Sequence, residues 1–179
     1  MFSSVDKKGF SAIELMVAVA IIAVTAALAA PDIIEWGSNQ RLKSASRDVL
    51  SNLQKARIEA VKRNTNQVVI SFTAGVYDPA GEVGSYRIFV DNGAGGGTAG
   101  NFVRDGTESI LVQETMPRNV SLYSANFGGL PVTIFSPNGL PNASGTVDMR
   151  NNKSNYFRAF LSPAGNLRLQ RSRDGATWN

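Results

Sequence analysis

From Phe10 to Ala30 the chain reads FSAIELMVAVAIIAVTAALAA. It carries one charge there, Glu14, and none from Leu15 to Pro31. A helix of that length rises about 30 Å, the thickness of a bilayer's hydrocarbon core. The segment before it, MFSSVDKKG, is polar and ends in Lys7-Lys8-Gly9. Basic residues directly ahead of an apolar run keep that end in the cytoplasm. A secretory signal peptide is the plainer alternative. Ala27-Leu28-Ala29 and Ala29-Ala30-Pro31 offer small-x-small cleavage sites for it, but such signals have shorter apolar regions.

Neither a simple anchor nor a signal peptide accounts for Glu14. A carboxylate inside a membrane segment costs about 2.5–3.5 kcal/mol on insertion scales, and such groups usually have a partner. Cleavage between Gly9 and Phe10 creates that partner: a new α-amino group would lie four residues before Glu14. In two packed subunits, the amine of one could then pair with the carboxylate of the next.

Lys7-Lys8-Gly9-Phe10-Ser11-Ala12-Ile13-Glu14-Leu15-Met16 resembles the class III signal of type IV pilins and type II secretion pseudopilins, usually K-G-F-T-L-I-E-L. Ser11 and Ala12 depart from the usual Thr and Leu. The resemblance implies cleavage after Gly9 by a prepilin peptidase on the cytoplasmic face, followed by N-methylation of Phe10. Glu14 falls on the family's conserved glutamate, and Pro31 on the proline that often bends the pilin helix. The implied locale is the bacterial inner membrane, single-pass, with the N-terminus cytoplasmic and the remainder periplasmic. From there the subunit would join other pilins or pseudopilins in a periplasmic pseudopilus or a cell-surface pilus.

Beyond the anchor, Leu42, Ala45, Val49, Leu53, Ala56 and Ala60 recur at spacings of three and four. That is one apolar stripe on a helix that continues into water. Pro31 removes a backbone donor at the junction and predicts a kink there. Asn64-Thr65-Asn66 ends the pattern. From Gln67 the chain changes to short β-type runs at Val68–Phe72, Tyr86–Val90, Ile110–Glu114, Val120–Tyr123, Val132–Phe135, Thr146–Met149, Tyr156–Leu161 and Leu167–Arg171. Asp78-Pro79, Pro137-Asn138-Gly139 and Pro163-Ala164-Gly165 are turn chemistry between them. Close spacing without intervening helices predicts an antiparallel sheet on which the stripe packs. The fold class is α+β, a pilin-like lollipop. Its parts are a leader at 1–9, a transmembrane helix at 10–31, a stalk helix at 32–66 and a β-rich head at 67–179.

Two segments of the head add to the resemblance. Thr133-Ile134-Phe135-Ser136-Pro137-Asn138-Gly139 and Phe160-Leu161-Ser162-Pro163-Ala164-Gly165-Asn166-Leu167-Arg168 are similar to the C-terminal half of the GspH/FimT family. Its members show F-x-P-x-G and then a strand, turn and strand ending near G-R-x-R. This implies a minor subunit of a type II secretion pseudopilus or a type IV pilus. Some FimT-like members bind DNA through the G-R-x-R region. Here Asn166 replaces the first arginine, and Arg158, Arg168, Arg171 and Arg173 are the residues such an activity would use. Strand alternation sends Arg168 and Gln170 outward and Arg171 toward the core unless the strand ends there. The competing reading of these arginines is an edge strand guarded against aggregation.

Composition argues against an enzyme. Neither histidine nor cysteine is present, so the commonest general base, thiol nucleophile and metal ligands are all missing. No G-x-S-x-G surrounds any serine. No catalytic residues, metal or cofactor are expected. Gly95-Gly96-Gly97-Thr98-Ala99-Gly100 matches G-x-G-x-x-G by letter, yet no βαβ unit surrounds it, so Asp91–Gly106 is expected to be a flexible surface loop. A net charge of +4 is ordinary solubility chemistry and compatible with anionic partners.

Overall fold

The structure is a computed structural model that describes residues 10–64, 67–79 and 82–179, with the side chains of 29–32 and 67 outside the described set. One helix, α1, runs over Ala12–Arg63, 52 residues, followed by eight strands. The strands are β1 (Gln67–Thr73), β2 (Ser85–Asp91), β3 (Ile110–Thr115), β4 (Val120–Phe127), β5 (Val132–Phe135), β6 (Gly145–Asn151), β7 (Tyr156–Leu161) and β8 (Leu167–Ser172). Each expected strand is present, within a few residues at its ends. The chain divides into two compact units, Met1–Gly37 and Ser38–Asn179.

In the first unit α1 starts after Ser11. The Ser11 backbone N–H donates to the Glu14 carboxylate at 2.9 Å, the N3-to-N-cap half of a capping box. Thr25, the polar exception in the run, turns its hydroxyl onto the carbonyls of Ile21 and Ile22. The backbone stays helical through Pro31.

In the second unit the helix carries the predicted stripe. Leu42, Val49, Leu53, Ala56 and Ala60 are wholly buried and Ala45 nearly so. Ser46, also on the buried side, satisfies its hydroxyl on the Leu42 carbonyl at 2.7 Å. Asn64 closes the helix at φ 53°, its N–H bonding back to the Ala60 carbonyl.

The stripe packs on two sheets, where the sequence suggested one. The first has strand order β3-β2-β1-β5 and the second β4-β6-β7-β8, each antiparallel throughout. The split follows from β5, which leaves its sequence neighbours β4 and β6 to pair with β1. Val68, Ile70, Phe72 and Ile88 from the first sheet share one core with Leu122, Val147, Met149 and Leu161 from the second. Polar links fix the helix over the sheets. Asn39 accepts from Asn151 and Asn155, and Asn52 donates to the Tyr86 hydroxyl at 2.7 Å.

The glycine-rich connection after β2 is organised, contrary to the expectation of a flexible loop. Asp91 and Glu108 are buried at its two ends. The Asp91 carboxylate accepts the N–H groups of Gly100 and Phe102, and Glu108 accepts those of Gly93 and Asp105. Asp105 takes the Thr98 N–H. Phe102 sits at φ 63°, a strained conformation for a bulky residue, and packs against Val69, Phe89 and Ile134 on the back of the first sheet. The acidic residues that hold this loop are scattered through a low-complexity run, so no periodicity announces them.

Candidate functional site

Two regions were singled out by sequence, and they lie in different units. The first is the apolar half of α1. Gly9 lies outside the described residues. Phe10 is 86% exposed, and every side chain described from Phe10 to Leu28 is exposed. Burying one Val, Leu or Ile side chain is worth about 1.5–3 kcal/mol, so a surface of this kind is stable only inside a bilayer or against other apolar helices. Among the described residues no single helix is long and apolar enough to cross a membrane; Ala12–Leu28 and Ile33–Arg63 meet the requirement of length and composition only when counted together. Glu14 is exposed and touches its own helix N-terminus through Ser11, where the helix dipole favours an anion. Pro31 is in the helix with its side chain outside the described set.

The second region is the arginine set on the second sheet. Register puts Arg158 opposite Gln170 and Arg168 opposite Phe160, so Arg158 and Arg168 share the outer face. Arg171 pairs with Phe157 on the other face, as alternation requires, but is exposed because the strand ends there. Its guanidinium donates to the Asn155 side-chain oxygen at 3.4 Å. Arg173 is exposed in the turn after β8.

Arg158 has other commitments. Its Nε and Nη2 donate to the two oxygens of Asp148 at 2.6 and 2.8 Å, and the Trp178 ring covers its guanidinium at 4.0 Å. The hydrogen bond to Asp148 raises its pKa further above the usual arginine value. The tail that brings Trp178 there is held by Asp174, whose carboxylate accepts from the Thr177 hydroxyl and from the backbone of Ala176 and Thr177. These bonds hold the Asp174 carboxyl far below the usual carboxylate range. The four arginines therefore do not form one patch.

The two turn motifs do converge, on Arg57 of α1. Gly139 closes the turn from Ser136 at φ 75°, and Gly165 closes the turn from Ser162 at φ 77°. The Gly165 carbonyl accepts from Arg57 Nη1 at 3.0 Å. A Cβ at Gly139 would lie 3.2 Å from Arg57 Nε, and one at Gly165 would lie 3.3 Å from its guanidinium carbon. Arg57 thus docks both hairpin tips on the helix. Only glycine allows both the left-handed backbone and the close approach.

Among the described residues no group of His, Cys, Asp or Glu could hold a metal ion. The profile of the family described as type II transport protein GspH matches residues 45–175. That of the prokaryotic N-terminal methylation motif matches residues 6–30. No curated protein matches the chain. Among solved structures the fold is similar to the type IV minor pilin FimU of Pseudomonas aeruginosa strain PAO1. In one crystal form the TM-score is 0.50 at 18% identity, covering 80% of this chain and 96% of that one. In a second form it is 0.49 at 17% identity, covering 77% and 97%.

Proposed function

The chain belongs to the GspH family of type II transport proteins and is a minor pilin or pseudopilin; from that premise we propose how its residues serve assembly. The observation that carries the reading is the exposed apolar segment from Phe10 to Leu28 within the match to a methylation motif. The family is a structural one, anchored in the inner membrane and processed through that motif.

A prepilin peptidase cuts between Gly9 and Phe10 on the cytoplasmic side, and the Phe10 amine is methylated. The helix around 10–31 spans the membrane, and the β-rich part lies in the periplasm. On assembly the helix exchanges lipid for neighbouring helices. Glu14 then leaves the Ser11 N–H and takes the Phe10 amine of an adjacent subunit, a charge pair of high value in a medium of low dielectric. Arg57 and its two turns keep the hairpin tips fixed on the helix as the subunit joins the filament. DNA binding has no specific support, since Arg158 is held by Asp148 and Trp178 and the other arginines face different ways.

Coexpression with a prepilin peptidase, followed by intact-mass measurement and N-terminal sequencing, tests the reading. The mature chain is expected to begin at N-methylated Phe10. A start near Ala30 would overturn it in favour of an ordinary signal peptide.

A further inference from the structure

A cleft of about 470 Å³ opens on the outer face of the second sheet, away from the turns that Arg57 holds. It is lined by Ala74–Tyr77 together with Tyr123, Arg150 and Tyr156. Arg150 lies on the inner strand β6, with Tyr156 directly opposite on β7 and Ser121 directly opposite on β4. The Tyr77 ring stacks 3.7 Å from its guanidinium carbon, and the Tyr156 ring lies 5.1 Å away. A register shift in β4 between Leu122 and Ser124 leaves Tyr123 without a ladder partner. Bulges of this kind re-aim side chains, and here the Tyr123 ring meets Tyr156 edge-on at 6.3 Å.

The hydrogen-bond inventory of this cleft is one-sided. Among the described residues no carboxylate or carbonyl accepts from Arg150, and the hydroxyls of Tyr77, Tyr123 and Tyr156 bond to no described residue. Asp148, two residues before Arg150 on the same face of β6, is taken by Nε and Nη2 of Arg158. Ser121 Oγ and Arg150 Nε are, among the described residues, the buried side-chain polar atoms without a partner, and those residues face each other across β4 and β6. Arg158 shows what the same sheet does with an arginine that serves the fold: it supplies a bidentate carboxylate and a tryptophan lid. Arg150 has tyrosine rings against its guanidinium and its Nε sealed from solvent, so the donors it offers to an incoming group are its terminal Nη groups.

We propose that this cleft is a docking site for an acidic segment of a protein partner, with Arg150 receiving a carboxylate side chain. Charge complementarity identifies the occupant. A stacked guanidinium is preorganised to receive a carboxylate in two parallel hydrogen bonds, and the tyrosines that line the cleft carry further donors. The surroundings identify it as protein: tyrosine and arginine dominate binding hot spots, and Val76 beside them is a 93% exposed apolar side chain.

The probe is fluorescein-labelled hexaglutamate, titrated into the full-length protein in neutral detergent and followed by fluorescence anisotropy. Hexaglutamine and a thymidine oligonucleotide serve as competitors. Saturable binding is expected, weakened about tenfold by Arg150→Met and several-fold by Tyr77→Ala, at a position outside the strands of the sheet. Arg150→Lys is expected to recover only part, because an ammonium cannot reproduce the paired geometry. Arg168→Ala and Arg171→Ala, elsewhere on the head, are expected to change nothing. Melting temperature and Trp178 fluorescence verify the fold of each variant. Absence of saturable binding would overturn the proposal. So would equal losses in the Arg168 and Arg171 variants, or displacement by the oligonucleotide at lower concentration than by unlabelled hexaglutamate. None of these outcomes bears on processing at Phe10, so the two readings fail independently.

Discussion

Replacing Asp148 with alanine removes the carboxylate that holds Arg158 and tests whether that arginine is structural. Asp148 is 6% exposed, and the Arg158 side chain retains a quarter of its surface in contact with water. Breaking a buried pair costs about 3–5 kcal/mol, because the surviving charge is left unpaired. Arg158 can recover some hydration at its open side and keeps its contact with Trp178, so the loss should be less, about 2–3 kcal/mol. For a domain of this size that lowers Tm by about 6–9 °C. Arg158→Met alone should cost at least as much, since it strands the more deeply buried partner. The double variant should be less unstable than the sum of the two, with a coupling energy of about 2 kcal/mol. Thermal unfolding of the full-length protein in detergent, followed by circular dichroism, measures all four corners of the cycle. Trp178 fluorescence reports whether the tail leaves the sheet. A coupling energy below about 0.5 kcal/mol would refute the argument and return Arg158 to the pool of surface arginines free to meet a ligand.

Glu14→Ala should leave membrane insertion intact or improved, since an intramembrane carboxylate is lost; fractionation and filament shearing should show reduced incorporation, and normal incorporation would make the amine pairing unimportant. Gly165→Ala forces a side chain into the left-handed region at φ 77° beside Arg57; it should cost about 1–2 kcal/mol, read as a lower Tm, and an unchanged Tm would show that the turn is not held as described. Burial pushes the hydroxyls of Tyr86 and Tyr123 up to about 12. An acid whose folded value is raised contributes stability that is whole below its unfolded value, about 10, and lost as pH climbs to 12. The 295 nm titration should carry a late component that Tyr86→Phe and Tyr123→Phe each diminish, and ionisation complete near pH 10 would refute the burial argument.

The sequence by itself determined everything that depends on near neighbours along the chain. Hydropathy marked the apolar half of α1, and the three-and-four spacing from Leu42 to Ala60 named the buried stripe residue for residue. Alternation and turn residues located all eight strands, because turn chemistry is a property of four consecutive residues. What it could not determine was partnership across distance. Nothing local says that β5 leaves its neighbours for β1, which turns one expected sheet into two. Nothing local says that Asp148 lies under Arg158 while Arg150, two residues along the same strand, is left among tyrosines; strand register decides both. Nothing in the spacing of α1 marks Arg57 as the residue on which the fold brings Gly139 and Gly165 together. Periodicity reports which side of an element is apolar. Which polar group meets which is set by the pairing of strands far apart in sequence, and that exists only once the chain has closed.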